Sequence, residues 1–229
     1  MRYHKGTLSR VLGSRMNPRP AKAKKSSVTR PKGRASLLVL TIGHSTRTLQ
    51  DFVEMLQGHG VEQLVDVRTV PRSRFNPQFN RDTLPKALSA AGITYVHMPD
   101  LGGLRHPRAD SPNTAWRNES FRGFADYMQT LEFASGLDAL MDLAREEQIA
   151  LMCAEAVPWR CHRSLIADAL MVHGVSVEHI MSPTARQAHA LTPWAQVEGE
   201  SVTYPAEAEP GKRASGIRRS REKGGAGVG

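Results

Sequence analysis

The segment from Cys153 to Arg163 holds the densest set of chemically reactive side chains in the sequence. It reads Cys-Ala-Glu-Ala-Val-Pro-Trp-Arg-Cys-His-Arg and contains both cysteines of the chain. An apolar run at 149–152 precedes it, and a helix-like run at 164–172 follows it. A loop between a strand and a helix is where α/β proteins place ligands and nucleophiles. The segment is therefore predicted to carry a functional site.

Three residues are predicted to act as catalytic groups. Cys161 is the candidate nucleophile, because the dipole of the helix that follows favours the thiolate. Glu155 is a candidate general acid or base, with an ion pair to a nearby arginine as the alternative. His44 follows Gly43 and is a candidate base. For Cys153 and Cys161, inert packing, a redox-active disulfide and metal ligation remain open as alternatives.

Several basic and polar residues are predicted to hold an anionic substrate. A guanidinium group binds phosphate or carboxylate through two parallel hydrogen bonds, and solvated surface arginine is the alternative interpretation. Ser45 and His162 are expected to add contacts from the two loops. The predicted substrate-binding residues are Ser45, Arg68, Arg74, His162 and Arg163.

The cysteine spacing argues against a bound metal. Structural zinc sites usually place two cysteines two to four residues apart, as in C-x2–4-C. Seven residues separate Cys153 from Cys161. The sequence therefore predicts no metal, and nothing in it indicates a cofactor.

The elements that position these residues alternate between strands and helices. Apolar runs predict strands, and apolar positions at helical spacing between them predict helices, the longest pattern being divided near Ser135 and Gly136. This alternation predicts an α/β three-layer sandwich with a mostly parallel sheet of about five strands in a single domain. The carboxyl ends of parallel strands share one edge of the sheet. We expect that edge to collect His44, Ser45, Asp66, Arg68, His97, Cys153 and Glu155.

The net charge of +9 belongs to the two ends of the chain. Residues 1–36 carry eleven basic residues and no acidic one, and residues 206–229 carry six basic and three acidic residues. Subtraction from 31 basic and 22 acidic residues leaves 14 and 19 between them, a net charge of −5. We predict a disordered basic tail over 1–36, an α/β domain over 37–183, and an extension with a disordered tail over 184–229. Basic tails can bind nucleic acid through its phosphates.

Composition excludes several classes of protein. No apolar stretch reaches the roughly 18–20 residues needed to cross a bilayer, and no signal peptide is visible. Two cysteines cannot form a disulfide framework. The expectation is a cytoplasmic protein, with an anionic small molecule or a nucleic acid as its partner. The sequence leaves the oligomeric state open.

Five motifs occur together in order over residues 37–182. They are Thr41-Ile-Gly-His-Ser45, Asp66-Val-Arg68, Pro71 with Ser73 and Phe79, Leu101-Gly-Gly103, and Cys153-x-Glu-x-x-Pro-x-x-Cys-His-Arg163. In this combination the chain resembles the domain of unknown function 488 family. The resemblance implies a compact α/β domain with a candidate site, and it implies no particular reaction.

Three functions are compatible with these patterns. The first is an enzyme that acts on an anionic, phosphate-bearing or nucleic-acid-related substrate. The second is a rhodanese-like sulfurtransferase or a redox-active dithiol protein, since the strand at 64–68 is similar to the Asp-Val-Arg strand of rhodaneses, although the expected glycine of the cysteine loop is missing. The third is a non-catalytic nucleic-acid-binding protein, with Phe75, Phe79 and Trp159 stacking on bases.

Overall fold

The computed structural model describes residues 37–206, and the tails predicted at 1–36 and 207–229 lie outside the described residues. Within that range the chain forms alternating strands and helices. The helices are α1 (Leu49–Gly58), α2 (Leu84–Ala90), α3 (Glu119–Tyr127), α4 (Leu131–Glu146) and α5 (Arg163–Val172). The strands are β1 (Leu38–Gly43), β2 (Gln63–Asp66), β3 (Thr94–His97), β4 (Ile149–Cys153), β5 (Ser176–Ile180), β6 (Arg186–Ala188), β7 (Gln196–Glu198) and β8 (Ser201–Thr203).

Six strands form one sheet in the order β3-β2-β4-β1-β5-β6. The first five are parallel, and β6 pairs antiparallel with β5 at the edge. Every residue of β4 is buried, as expected of a central strand covered on both faces. The mostly parallel α/β sheet predicted from the sequence is confirmed.

The helices cover both faces of the sheet, which makes three layers. One hydrophobic cluster includes Phe52 and Leu56 of α1 and Leu88 of α2. The other includes residues of α3, α4 and α5, such as Phe124 and Leu140. Each helix therefore buries its apolar side against the sheet, and the ends of the strands stay free to form a site.

The predicted break at Ser135 and Gly136 is wrong. The long helical pattern divides earlier, between Tyr127 and Leu131, where the Thr130 hydroxyl accepts a hydrogen bond from a backbone N–H in the first turn of α4. Gly136 lies inside α4, and a side chain there would come within 3.2 Å of a methyl group of Leu101. The glycine allows close helix packing and does not end the helix.

Residues 184–206 pack onto the domain, although the sequence signals fade after 183. They form β6 and the β7–β8 hairpin, and both Val202 and Tyr204 are buried. The Tyr204 hydroxyl donates a 2.8 Å hydrogen bond to Asp168 of α5. These strands have three residues each and mostly exposed side chains, so they produce little hydrophobic pattern.

None of the helices described between residues 37 and 206 is both long and apolar enough to cross a membrane.

Candidate active site

A cleft of about 780 Å³ opens at the carboxyl ends of β1, β2 and β4. The parallel strand ends bring the predicted residues to this edge, as expected. Six of the eight predicted site residues line the cleft, and Cys153 lines it with them. The six are His44, Ser45, Arg68, Glu155, Cys161 and His162.

Two thiols and an imidazole form a compact cluster at the floor of the cleft. The Nδ1 atom of His162 lies 4.0 Å from Sγ of Cys153 and 3.7 Å from Sγ of Cys161. The three donor atoms all lie within 4.8 Å of one another. Both cysteines are buried, and both line the cleft.

The two thiols differ in acidity, in the opposite sense to the sequence prediction. Burial raises the pKa of Cys161 well above its usual value, and its hydrogen bond with the neighbouring sulfur adds to the rise. That hydrogen bond lowers the pKa of Cys153, with a further contribution from His162. The helix dipole was expected to make Cys161 the thiolate. In the fold, burial outweighs the helix dipole at Cys161, and Cys153 is the thiol whose pKa is lowered.

The His162 ring has a fixed orientation. Its Nε2 lies 3.1 Å from the carbonyl oxygen of Val67 and must donate to it, so Nδ1 faces the two sulfur atoms and carries the lone pair whenever the ring is neutral. The ring also packs against the backbone of Gly103, where a side chain would overlap Nδ1. The Phe124 ring lies at 5.1 Å on another side.

The His44 imidazole is held in the neutral form beside Arg68. Its Nδ1 donates to the carbonyl of Ser45 at 2.8 Å, and its Nε2 accepts from Arg68 at 3.3 Å. Burial lowers the pKa of His44, and the ring stacks on Phe79 at 4.3 Å. Both ring nitrogens are therefore engaged, which supports a structural role more than the predicted role as a base.

Arg68 lines the cleft, but most of its donors are used inside the protein. Its guanidinium forms a two-point ion pair with Asp66, at 2.9 and 2.6 Å, and also donates to the carbonyl of Phe79. The same carboxylate accepts a hydrogen bond from Tyr95. Arg68 thus places a buried positive charge at the cleft, and the carboxylate of Asp66 neutralises it. Most of the N–H groups of its guanidinium are already hydrogen-bonded within the protein.

Arg163 lies beneath the loop that carries the cysteines and does not line the cleft. Its guanidinium donates to the backbone carbonyls of Ile42, Glu155 and Ala156 at 3.1, 2.7 and 3.0 Å. The residue is 1% exposed. A side chain at Gly43 would overlap the Glu155 carbonyl, so glycine allows the loop to close over the end of β1. Arg163 therefore organises the loop.

Of the remaining predicted residues, two are exposed and Ser45 is half-buried. Arg74 is exposed, lies away from the cleft lining and sits 5.5 Å from the Phe75 ring. Glu155 is exposed at the mouth of the cleft. Ser45 adopts a left-handed backbone conformation with φ of 49°, and its N–H donates to the carbonyl of Ala154. Non-glycine residues in this conformation cluster at functional sites.

Sequence reasoning missed two arginines of the cleft. Arg72 and Arg160 are exposed and line its mouth. Arg160 lies within the motif beside Cys161, so its position in the sequence could have indicated that it lines the cleft. Of the aromatic residues proposed to stack on bases, Phe79 is buried, which corrects the sequence interpretation, while Phe75 and Trp159 are exposed.

Comparison with known proteins gives one family match. A family model described as domain of unknown function DUF488 matches residues 48–170. This match confirms the resemblance seen in the motifs. A search of the curated proteins and a search of the solved structures gave no match.

Proposed function

The chain belongs to the DUF488 family, and since that family implies no reaction, we propose from the cleft that the protein is an enzyme acting on a small phosphate-bearing molecule. The observation that carries the proposal is the pairing of a reactive floor with a basic mouth. Cys153, Cys161 and His162 form the floor, and Arg72 and Arg160 line the mouth.

The mouth supplies the groups that recognise the anion. The guanidinium groups of Arg72 and Arg160 are exposed, in contrast to that of Arg68, which is paired with Asp66. Arginine favours phosphate because its planar fork matches two phosphate oxygens. A cleft of about 780 Å³ falls within the range of small-molecule sites, so a nucleotide or a smaller phosphate ester fits it better than a folded polymer.

The floor supplies the chemistry. Among side chains at neutral pH, the cysteine sulfur is the strongest nucleophile. The imidazole ring of histidine is the commonest carrier of protons. Both open onto the same cleft as the exposed carboxylate of Glu155. In this proposal Glu155 exchanges protons with the substrate at the mouth, while the cysteine and histidine cluster acts on the bound molecule.

Alkylation of the cysteines measures occupancy of the cleft directly. The reduced full-length protein, in buffer with EDTA, is treated with iodoacetamide with and without inorganic phosphate, pyrophosphate or ADP at constant ionic strength. Bound ligand is expected to slow alkylation. Substitution R72A or R160A should weaken this protection by about 1 kcal/mol, roughly fivefold in affinity, as expected for one charged hydrogen bond at an exposed site.

A matched variant controls for general loss of positive charge. Arg145 of α4 is exposed and pairs with Asp142 away from the cleft, so R145A should leave protection unchanged. Equal effects of R145A and R160A would reject a specific site. Protection by a single-stranded oligonucleotide, with none by the three small anions, would reject the small-molecule substrate in favour of nucleic acid.

A redox-active dithiol is the second candidate, because the two sulfur atoms lie within 4.8 Å of each other. In that reaction a substrate disulfide takes up two electrons and two protons and leaves as two thiols, while Cys153 and Cys161 form one disulfide. Reduced protein incubated with oxidised glutathione should then lose two mass units with no retained glutathione. A stable mixed disulfide, or no change in mass, would argue against this candidate.

A further inference from the structure

We propose that Cys153, Cys161 and His162 form a three-ligand site for Zn²⁺ whose fourth position opens to the cleft. The inference deepens the proposed function, since it names the reactive group at the floor of the same cleft. It also differs from the sequence prediction of no metal, which depended on the spacing of the cysteines alone.

The separations of the donor atoms fit a tetrahedral zinc ion. Zinc binds sulfur at about 2.3 Å and imidazole nitrogen at about 2.0–2.1 Å, which by tetrahedral geometry sets a sulfur-to-nitrogen separation of roughly 3.6 Å. The observed separations from His162 Nδ1 are 4.0 Å to Cys153 and 3.7 Å to Cys161. The first needs to shorten by about 0.4 Å and the second by about 0.1 Å. The two sulfur atoms, which lie within 4.8 Å of each other, would approach to roughly 3.8 Å in a tetrahedral site, and side-chain rotations would supply these shifts.

The partner of the other ring nitrogen gives an independent observation. Histidine ligands of metals usually donate their second N–H to a carboxylate or to a backbone carbonyl, which fixes the tautomer and the direction of the ligating nitrogen. His162 donates from Nε2 to the Val67 carbonyl at 3.1 Å. Contact with Gly103 and Phe124 holds the ring in this orientation. Nδ1 is therefore directed at the two sulfur atoms before any metal binds, and in the neutral ring it presents its lone pair to them.

The fold overcomes the long spacing between the cysteines. Cys153 ends β4, and the chain returns through a 3-10 turn at Pro158–Arg160 to Cys161. Arg163 holds the returning loop by its backbone carbonyls. Two residues eight positions apart in the sequence thus meet beside His162, which a linear C-x2–4-C pattern cannot describe.

The donor set selects zinc and leaves a position open. Two thiolates and an imidazole are the ligands of zinc and of few other biological divalent cations, whereas magnesium and calcium require oxygen. His44 also lines the cleft, but both of its nitrogens are occupied by hydrogen bonds. Three protein ligands with an open fourth position are typical of catalytic zinc sites, in which water or substrate completes the coordination.

Binding requires both thiols to lose their protons, so one Zn²⁺ replaces two H⁺ and the sulfur atoms keep their oxidation state. An ion at this position would lie between the cysteine sulfurs and a substrate phosphate group held by Arg72 and Arg160. It would act as a Lewis acid on an oxygen of that group or of a bound water.

Cobalt provides the readout, because Co²⁺ occupies zinc sites and thiolate ligation gives it strong near-ultraviolet charge-transfer absorption. The full-length protein is reduced, treated with EDTA, desalted and titrated with Co²⁺ and then with Zn²⁺. The expected result is one Co²⁺ per chain with charge-transfer absorption, displaced by one equivalent of Zn²⁺ with protection of both thiols from DTNB. Absence of charge-transfer absorption in the wild-type protein would overturn the proposal.

Substitutions assign the ligands. Variants C161S and H162N should bind Co²⁺ at least tenfold more weakly and lose most of the absorption, while H106N, at an exposed histidine outside the cleft lining, should match the wild type. Unchanged binding in both ligand variants would reject the site. If either variant fails to fold, the number of Co²⁺ ions bound per wild-type chain and the protection of its thiols by Zn²⁺ still test whether the metal site exists. The metal-free alkylation assay with phosphate ligands keeps the two proposals separate, because protection without metal binding would leave the enzyme proposal standing.

Discussion

Arg163 provides a sharp test of whether an arginine beside the cysteines binds substrate or supports the loop. We expect the substitution R163M to lower the stability of the protein. We expect it to have no direct effect on ligand binding, because Arg163 does not line the cleft. Methionine keeps the apolar stem of the side chain and removes the charge and all the donors. The three carbonyls of Ile42, Glu155 and Ala156 then lose their partner.

The size of the effect follows from those contacts. Three hydrogen bonds from a charged donor, at about 1.5–3 kcal/mol each, set an upper limit of roughly 4.5–9 kcal/mol. Glu155 and Ala156 are exposed, so water can replace two of the donors, and removing a buried charge also recovers its desolvation cost. We therefore expect a loss of about 3–5 kcal/mol, or roughly 6–20 °C in Tm for a domain of this size.

The assay is thermal and urea unfolding of the full-length protein, followed by circular dichroism. R163K keeps the charge but loses the fork, so its stability should fall between those of R163M and the wild type. R145M should change stability by less than about 1 kcal/mol, because Arg145 forms an exposed ion pair on α4. An R163M variant with wild-type Tm and abolished phosphate binding would refute the structural role and restore the substrate contact predicted from the sequence.

Two further predictions concern the buried network between α5 and the last strands. Asp168 accepts hydrogen bonds from His189, Thr192 and Tyr204 at 2.8, 2.6 and 2.8 Å, so D168N should cost about 2–4 kcal/mol in urea unfolding and expose residues 184–206 to proteolysis. Burial, reinforced by the charge of His189, lowers the pKa of His179 to about 4. The unfolded chain binds a proton there below about pH 6.5, so stability should be full above that pH and fall by about 2–3 kcal/mol towards pH 4.

Each of these two predictions has its own comparison variant. D138N, at an exposed position on α4, should leave stability and the proteolytic pattern unchanged, and a D168N variant that resists proteolysis as the wild type does would show that the C-terminal strands dock by other contacts. H179Q should flatten the decline in stability between pH 6.5 and 4 seen for the wild-type protein. An identical decline in H179Q would assign the acid sensitivity to another group.

Much of the architecture follows from local patterns in the sequence. Continuous apolar runs such as 149–152 indicate strands buried on both faces, and alternation with helices limits the connections to parallel ones. Parallel strands place their carboxyl ends at one edge, which is why His44, Cys153 and Glu155 were correctly expected to meet there. The edge strands of residues 184–206 escaped this reasoning, since short exposed strands carry little hydrophobic pattern.

Local sequence patterns are sufficient to predict the α/β class, the edge of the sheet that bears the candidate site and the family to which the chain belongs. Which reactive side chains face the cleft depends on the tertiary structure. Arg160 and Arg163 are three residues apart, yet the first lines the cleft and the second is buried. The difference arises because Arg163 meets the carbonyl of Ile42, 121 positions earlier in the chain. Periodicity reports only the local path of the backbone, whereas the direction of a side chain in an irregular loop depends on contacts made by distant segments.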